Sequence, residues 1–362
     1  MITNSTLKIA TFNLFNYLEP PNAYYEFERI YTAEQWAKKQ RWIIDYLTEH
    51  QPDVIGFQEV FSIESLKELV KQQGYAHFAV VDEPQVIDDF IYKRPVVAIA
   101  AKYPIVEVAS VKHDYELANT LGLTEDFAFS RKVLRATISL PHIGNTDCYV
   151  VHFKSKRPSI EIDKNNKELT AEKNIIEILK ANVAGGWGST IQRGSEATLL
   201  MIEMISRREA TQQPMILMGD FNNDLADGVL SHLLTNTLRF APAFDSKTYL
   251  AKYCLNDAWQ LFTKLNDDCE PDEVANESIQ GVIDKDNQGL KPLRKATHYF
   301  GASSSVLDYI LLSCEFDSGY DDSFFEVSDY HTYDRHLINP EFERDDLSTD
   351  HGVVCITLKL RE

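Results

Sequence analysis

The stretch "LMGDFNND", residues 217–224, ends an apolar run with a carboxylate and a carboxamide two positions apart. Side chains on a strand alternate, so Asp220 and Asn222 point the same way, out of the end of a sheet. Other apolar runs carry a polar residue near one end: Asn13 in "ATFNLF", Glu59 in "IGFQEV", His152 in "VVHFK", Asp308 in "LDYILL", and Asp350 with His351 in "STDHGVV". Each has an ordinary explanation alone. Asn13 could end a turn, Glu59 could cap a helix, Asp308 could sit at a strand edge, and Asp350 could head an Asx-turn. A histidine such as His152 is more often a satisfied core residue. Together they are harder to set aside, because charged side chains are rarely buried without a partner. Carboxylates gathered at one sheet edge repel each other unless a cation joins them. Glu59 and Asp350 are therefore candidate ligands for a hard, oxygen-seeking ion such as Mg²⁺ or Mn²⁺.

The elements that must position these residues are apolar, β-rich runs: "LKIATFNLF", "DVIGFQEV", "PVVAIAAKYPIVEVASVKH", "VLRATISL", "CYVVHFK", "PMILMGDF", "VLDYILLS" and "GVVCITLKL". Helical patterns lie between them. Residues 32–48 open with Thr32 and Gln35 at capping-box spacing and place Trp36, Ile43 and Leu47 on one stripe. Residues 63–73 end at Gly74, and residues 171–182 and 195–209 are also amphipathic. Helices first alternate with strands, and then strands follow one another. That order predicts sheets packed face to face with helices on the outer faces. Two insertions are expected, at 155–195 and at 264–289, the latter acidic and rich in turn formers.

The chain has 362 residues, 44% hydrophobic and 25% charged, which suits a large buried core. No run approaches the roughly 18–20 apolar residues of a membrane span. The opening "MITNSTLKIATFNLF" lacks the basic start and apolar stretch of a secretory signal, so a cytoplasmic location is expected. Five scattered cysteines without a C-x-x-C pair argue against a disulfide framework or a zinc cluster. The formal charge of −19 disfavours tight nonspecific duplex binding and anionic membranes, though local cations can reverse the potential in a cleft.

The ordered set "TFN…FQE…HFKS…GDFN…LDYIL…TDH" resembles the endonuclease/exonuclease/phosphatase superfamily, with its deoxyribonuclease-I-like fold, and within it the bacterial nuclease-like branch. The resemblance spans residues 8 to 358 and implies a four-layered α/β sandwich in one domain, residues 1–362, built on two packed, mainly antiparallel β-sheets flanked by helices. It also implies divalent-metal-dependent hydrolysis of a phosphoester, with Mg²⁺ first and Mn²⁺ or Ca²⁺ as alternatives. By motif, Glu59 matches the principal metal ligand, Asn13 the asparagine that helps hold metal and phosphate, and Asp350 the carboxylate beside the closing histidine. Asp220 matches the residue that orients or deprotonates the attacking water, and Asn222 a donor to the phosphoryl group. His351 matches the histidine on the phosphate, Asp308 its orienting carboxylate, and His152 a histidine near the leaving group. Thr349 stands where serine is commoner. Phe15 stands where some abasic-site nucleases carry an extra acid, which argues against that type.

The substrate is less legible. Lys154, Lys156 and Arg157 beside His152, then Arg131, Lys132 and Arg135, and lastly Arg193 supply local positive charge. Arg131, Lys154 and Arg193 are candidates for substrate contact, although a solvated cation is the ordinary reading of each. Trp187 could stack on a base or pin its loop. A nuclease or nucleotide phosphodiesterase is the first expectation, acting on a nucleic acid or nucleotide without a membrane or an obligate protein partner. The alternatives are a phosphatase or lipid phosphodiesterase of the same superfamily, or a noncatalytic binding module on this fold.

Overall fold

Twelve strands build two six-stranded sheets: β1 (Thr6–Tyr17), β2 (Val54–Val60), β3 (His77–Val80), β4 (Val96–Ala101), β5 (Ile105–Ser110), β6 (Leu134–Leu140), β7 (Gly144–His152), β8 (Met215–Asp220), β9 (Asn256–Asp257), β10 (Asp308–Leu312), β11 (Phe325–Tyr333) and β12 (Val353–Leu360). These come from a computed structural model, which describes residues 5–160, 170–236, 250–267, 281–283 and 290–361. The first sheet runs β11-β12-β1-β2-β4-β3 and the second β9-β10-β8-β7-β6-β5. One central pair in each is parallel, β1/β2 and β7/β8, and the remaining pairs are antiparallel. Parallel neighbours end on the same side, and the antiparallel strands beside them begin there. The ends of β1, β2, β7 and β8 therefore meet the starts of β10 and β12 along one edge.

Between the sheets lies a core of Leu7, Ile9, Val150, Ile216, Met218, Ile310 and Ile356. Strand alternation carries that inward face on to Asn13, His152, Asp220 and Asp308. The candidate residues thus occupy the mouth of the inter-sheet core. Helices α1 (Ala33–His50) and α2 (Ile63–Gln72) cover the outer face of the first sheet through Trp36, Trp42, Tyr46 and Leu66 against Phe12 and Phe57. Helix α3 (Ala171–Thr211) covers the second sheet with Leu200 and Met204 against Tyr149, Leu217 and Leu311. A short helix, α4 (Ala258–Asp267), packs Ala258 and Leu261 into the inter-sheet core. The outcome is the expected layering of helix, sheet, sheet and helix. Fully burying a side chain such as Phe12 contributes about 1.5–3 kcal/mol. The capping box at Thr32 and Gln35 forms in both directions.

Three local features differ from the sequence expectations. Residues 171–182 and 195–209 belong to one continuous helix, so the expected insertion at 155–195 is irregular at 155–160 and helical from Ala171. The glycines of "AGGWGS" do not break that helix; two of them make room for a neighbouring segment. Strand β11 was not anticipated, because Asp329 and His331 interrupt its alternation and a bulge shifts its register between Val327 and Asp329. The expected insertion at 264–289 falls largely outside the described residues. Among the described residues, no helix is long and apolar enough to cross a membrane.

Candidate active site

Asp220 is the last residue of β8 and is 1% exposed. The glycine before it has φ +148°, and a Cβ there would lie 2.0 Å from the Val151 carbonyl oxygen, so only glycine lets β8 press against β7 at this point. Four side chains surround Asp220 Oδ2. Asn13 Nδ2 donates to it at 3.2 Å and Asn222 Nδ2 at 3.1 Å. His152 Nε2 lies 3.4 Å away and His351 Nε2 3.9 Å away. The Asn222 backbone N–H donates to Oδ1 at 2.8 Å, and Asn222 Nδ2 also donates to the Phe153 carbonyl at 3.1 Å. Asn222 is thus committed to holding Asp220 and the end of β7.

His351 precedes β12 in the first sheet yet reaches into the second. Its Nδ1 lies 2.8 Å from Asp308 Oδ2. Burial opposes a charge on this imidazole, but Asp308, Asp220 and Asp350 outweigh it and raise its pKa well above the usual value. The proton on Nδ1 then donates to Asp308, leaving Nε2–H directed at the cleft. Asp220 responds oppositely. Burial pushes its pKa up to about 7, against the pull of His351 and the Asn222 N–H. His152 is held well below the ordinary histidine range by burial and then by Arg131 and His351. The site therefore holds one charged and one neutral imidazole near pH 7, with a carboxylate poised between protonation states.

Glu59 reaches the cleft by a different route. Strand parity would turn it outward with Phe57, but β1 and β2 both shift register here, and Phe15, Asn16 and Glu59 all have positive φ. Such bulges re-aim side chains. The Asn16 N–H donates to Glu59 Oε2 at 2.9 Å. Burial and then Asp350 raise the Glu59 pKa, which places these two carboxylates in mutual repulsion. Asp350 Oδ1 is buried with no hydrogen-bond partner, as an atom awaiting a cation would be. Asn13 Oδ1 accepts the Phe15 N–H at 3.0 Å.

Several contributors frame the site beyond the strand-end residues, and of these the sequence singled out Thr349 alone. Thr297 Oγ1 accepts the N–H groups of Leu307 and Asp308, and its carbonyl accepts the Gly352 N–H, which stitches β10 to the approach of β12. His298 follows it, its ring 5.2 Å from that of His351. Thr349 Oγ1 donates to the Asn13 carbonyl at 2.6 Å and accepts the His351 N–H. Lys39, 1% exposed, donates to the Ser348 carbonyl at 2.8 Å, and burial lowers its pKa to about 7. Buried Glu196 on α3 accepts the backbone N–H groups of Ser130 and Lys154 and so sets the segments carrying Arg131 and Lys154. Their short polar stretches lack the apolar alternation that marked the strand-end residues.

Among the basic candidates, Arg131 faces the cleft, where its charge acts on Glu59, His152 and Lys154. Lys154 is partly buried, with Nζ donating to the Arg157 carbonyl. Arg193 is 3% exposed and donates to the Lys154 carbonyl, beneath the loop and not at its surface. Lys132 pairs with Asp82, and Arg135 with Glu107 and Asp147, so these two are neutralised locally.

A family model described as the endonuclease/exonuclease/phosphatase family matches residues 10–329. The chain belongs to that family. Membership carries the coarse activity, hydrolysis of phosphoester bonds, and members of the family depend on a divalent metal. The fold agrees with solved structures of the same family. The human Nocturnin catalytic domain with bound sulfate anion aligns at 15% identity and a TM-score of 0.54, over 99% of this chain and 95% of that one. A humanized D. rerio TDP2 aligns at 13% identity and a TM-score of 0.52, over 98% and 100%. A Bacteroides vulgatus family member aligns at 14% identity and a TM-score of 0.51, over 98% and 99%. Identities this low establish the shared fold alone. No curated protein matches the sequence.

For the family's metal, among the described residues two groups of side chains bring ligand atoms within 4.8 Å of one another: His298 with Asp350 and His351, and Asp220 with Asp308 and His351. The His351–Asp308 hydrogen bond and the charge on that imidazole make the second group a proton-handling cluster. Oxygen donors from Glu59 and Asp350, with the orphaned Asp350 Oδ1 3.9 Å from His351 Nε2, fit a hard divalent ion.

Proposed function

We propose that this chain is a divalent-metal-dependent phosphodiester hydrolase acting on nucleic acid or a nucleotide, working as a single domain over residues 1–362. The observation that carries this reading is the surroundings of Asp220 Oδ2, with Asn13, Asn222, His152 and His351 ringed about it. A carboxylate with a pKa of about 7 takes a proton from water at neutral pH. Asn13 and Asn222 fix its direction. His351, kept charged by Asp308, offers Nε2–H to a phosphoryl oxygen, where a pre-placed donor stabilises charge that develops in the transition state. Neutral His152, with Nε2 3.4 Å from Asp220 Oδ2, would offer a ring nitrogen near the leaving group. Glu59 and Asp350, with Asn13 beside them, would hold a divalent ion, which would supply positive charge for the phosphoryl group; we assign Mg²⁺, with Mn²⁺ or Ca²⁺ as substitutes.

Diester specificity rests on the cationic rim. Arg131, Lys154 and Arg157 lie near one another beside His152 in a chain of net charge −19, a local reversal suited to an extended polyanion. The likeness to D. rerio TDP2 complexed with single strand DNA product supports a nucleic-acid substrate. Arg193 acts behind this rim by holding the Lys154 carbonyl.

The test is hydrolysis of single- and double-stranded DNA, RNA, bis-p-nitrophenyl phosphate and a phosphomonoester, with Mg²⁺, Mn²⁺, Ca²⁺ or chelator. Diester cleavage that chelator and Asp220→Ala abolish is the expected result. Turnover of the monoester alone would assign a phosphatase instead, and binding without turnover a noncatalytic module.

A further inference from the structure

The N-terminal half of α3 is turned inside out. Ile175, Leu179, Val183 and Trp187 recur every four residues and are 66%, 62%, 69% and 65% exposed, with Ile176 and Ile191 beside them. Residues at i, i+4 stack into one ridge along a helix. None of the six belongs to the hydrophobic cores of the fold. The buried face carries Ala181, Gly185 and Ser189. It is small because residues 157–160 lie across it. A Cβ on Gly185 would stand 2.8 Å from the Ile160 nitrogen, and one on Gly188 2.6 Å from Ser159 Oγ. The Ser159 N–H donates to the Gly185 carbonyl at 3.0 Å and Ser189 Oγ to the Arg157 carbonyl at 2.6 Å. The helix cannot roll to bury its large side chains without losing this strap. Its apolar ridge faces solvent by construction.

We propose that this ridge is the contact surface of a homodimer, with α3 of each copy packed against α3 of the other. The six side chains expose apolar surface of the order of the ~800 Å² that each partner of a standard interface buries. That exceeds what scattered surface residues account for. Charge selects the occupant. Within residues 171–191, Glu172 and Glu177 are balanced by Lys173 and Lys180, a neutral strip on a chain of net charge −19. A helix lying on a membrane needs a Lys/Arg-rich polar face, and a nucleic-acid surface needs cations to displace counterions. Neither is present on this strip. A second copy meets it without local repulsion. A two-fold axis between Leu179 and Val183 sets the Trp187 end of each ridge against the Ile175 end of the other. Two i±4n ridges interdigitate at a crossing angle of about −50°.

Sedimentation equilibrium of the full chain over a wide concentration range tests this, independently of any activity. The expected result is a reversible dimer that tightens as salt screens the net negative charge. Leu179→Glu with Val183→Glu should weaken association by about a hundredfold or more, with circular dichroism unchanged because both positions are exposed, and with a thermal midpoint equal to that of the wild type diluted to monomer. A wild-type chain that stays monomeric at its highest soluble concentration overturns the proposal. So does a dimer indifferent to the double substitution. Co-sedimentation of a monomer with phosphatidylcholine–phosphatidylserine vesicles, lost in the double variant, would assign the ridge to a membrane surface and overturn it equally.

Discussion

At their common edge the sheet built on β1 and β2 presents Glu59 and Asp350 half-buried, while the sheet built on β7 and β8 presents His152, Asp220 and Asp308 almost without contact with water. Half-buried carboxylates can draw a cation from solution. Burial moves the pKa of Asp220 up and that of His152 down, which suits proton transfer at neutral pH. Under the proposed function the pair of sheets would divide the work: charge binding on one side, proton handling on the other. His351 crosses between them, with its backbone in the first sheet and its ring on Asp308 in the second.

Substitutions can break or sharpen this division. The largest effect belongs to the proton-handling side. Asp220→Ala should lower kcat on bis-p-nitrophenyl phosphate by about 10²–10⁴-fold, and added metal should not restore it. A loss of less than tenfold would show that the base lies elsewhere. On the charge-binding side, Glu59→Gln should raise the Mg²⁺ concentration for half-maximal rate by about 10–100-fold, with much of kcat recovered at saturating metal. Mg²⁺ at 100 times its dissociation constant should stabilise the wild type by about 2.7 kcal/mol, and the same Mg²⁺ concentration should stabilise Glu59→Gln by only about 0.4–1.4 kcal/mol. If both variants respond alike to metal, the division fails.

The pH profile sharpens the comparison further. Asp220 works deprotonated, so kcat/KM should rise with pH and level off near the carboxyl's pKa of about 7, while His351 stays protonated. Asp308 raises the pKa of both groups. Asp308→Asn should therefore move both limbs of the bell to lower pH. Movement of one limb alone would mean that Asp220 and His351 are not linked through Asp308. The smallest effect is expected at Thr349. Serine keeps the hydroxyl that bonds Asn13 and His351 and should leave turnover within about twofold, whereas Thr349→Val removes a buried hydrogen-bonding group at a cost of about 1–3 kcal/mol.

The strand-end chemistry was legible because a carboxylate or imidazole beside an apolar run is anomalous whatever the fold. Asn13, His152, Asp220 and Asp308 also keep the parity of the inward face, so a period of two placed them correctly. Glu59 does not keep it. Only the paired register shift and its positive φ turn it into the cleft. His298 opens a short hairpin with no periodic signal, and Thr297 precedes it. Arg193 resembles any surface cation in sequence, and its burial beneath Lys154 depends on α3 running unbroken past the glycines.

By itself the sequence determined which residue types end which strands, and hence the kind of chemistry and the layered α/β class, because alternation and capping act over a few residues. Tertiary structure alone decided which of those residues meet, how far Asp220 is desolvated, and which face α3 leaves open. Those properties depend on groups tens to hundreds of positions apart, such as Asn13 against Asp220 and Ser159 against Gly185, whose contacts no local pattern encodes.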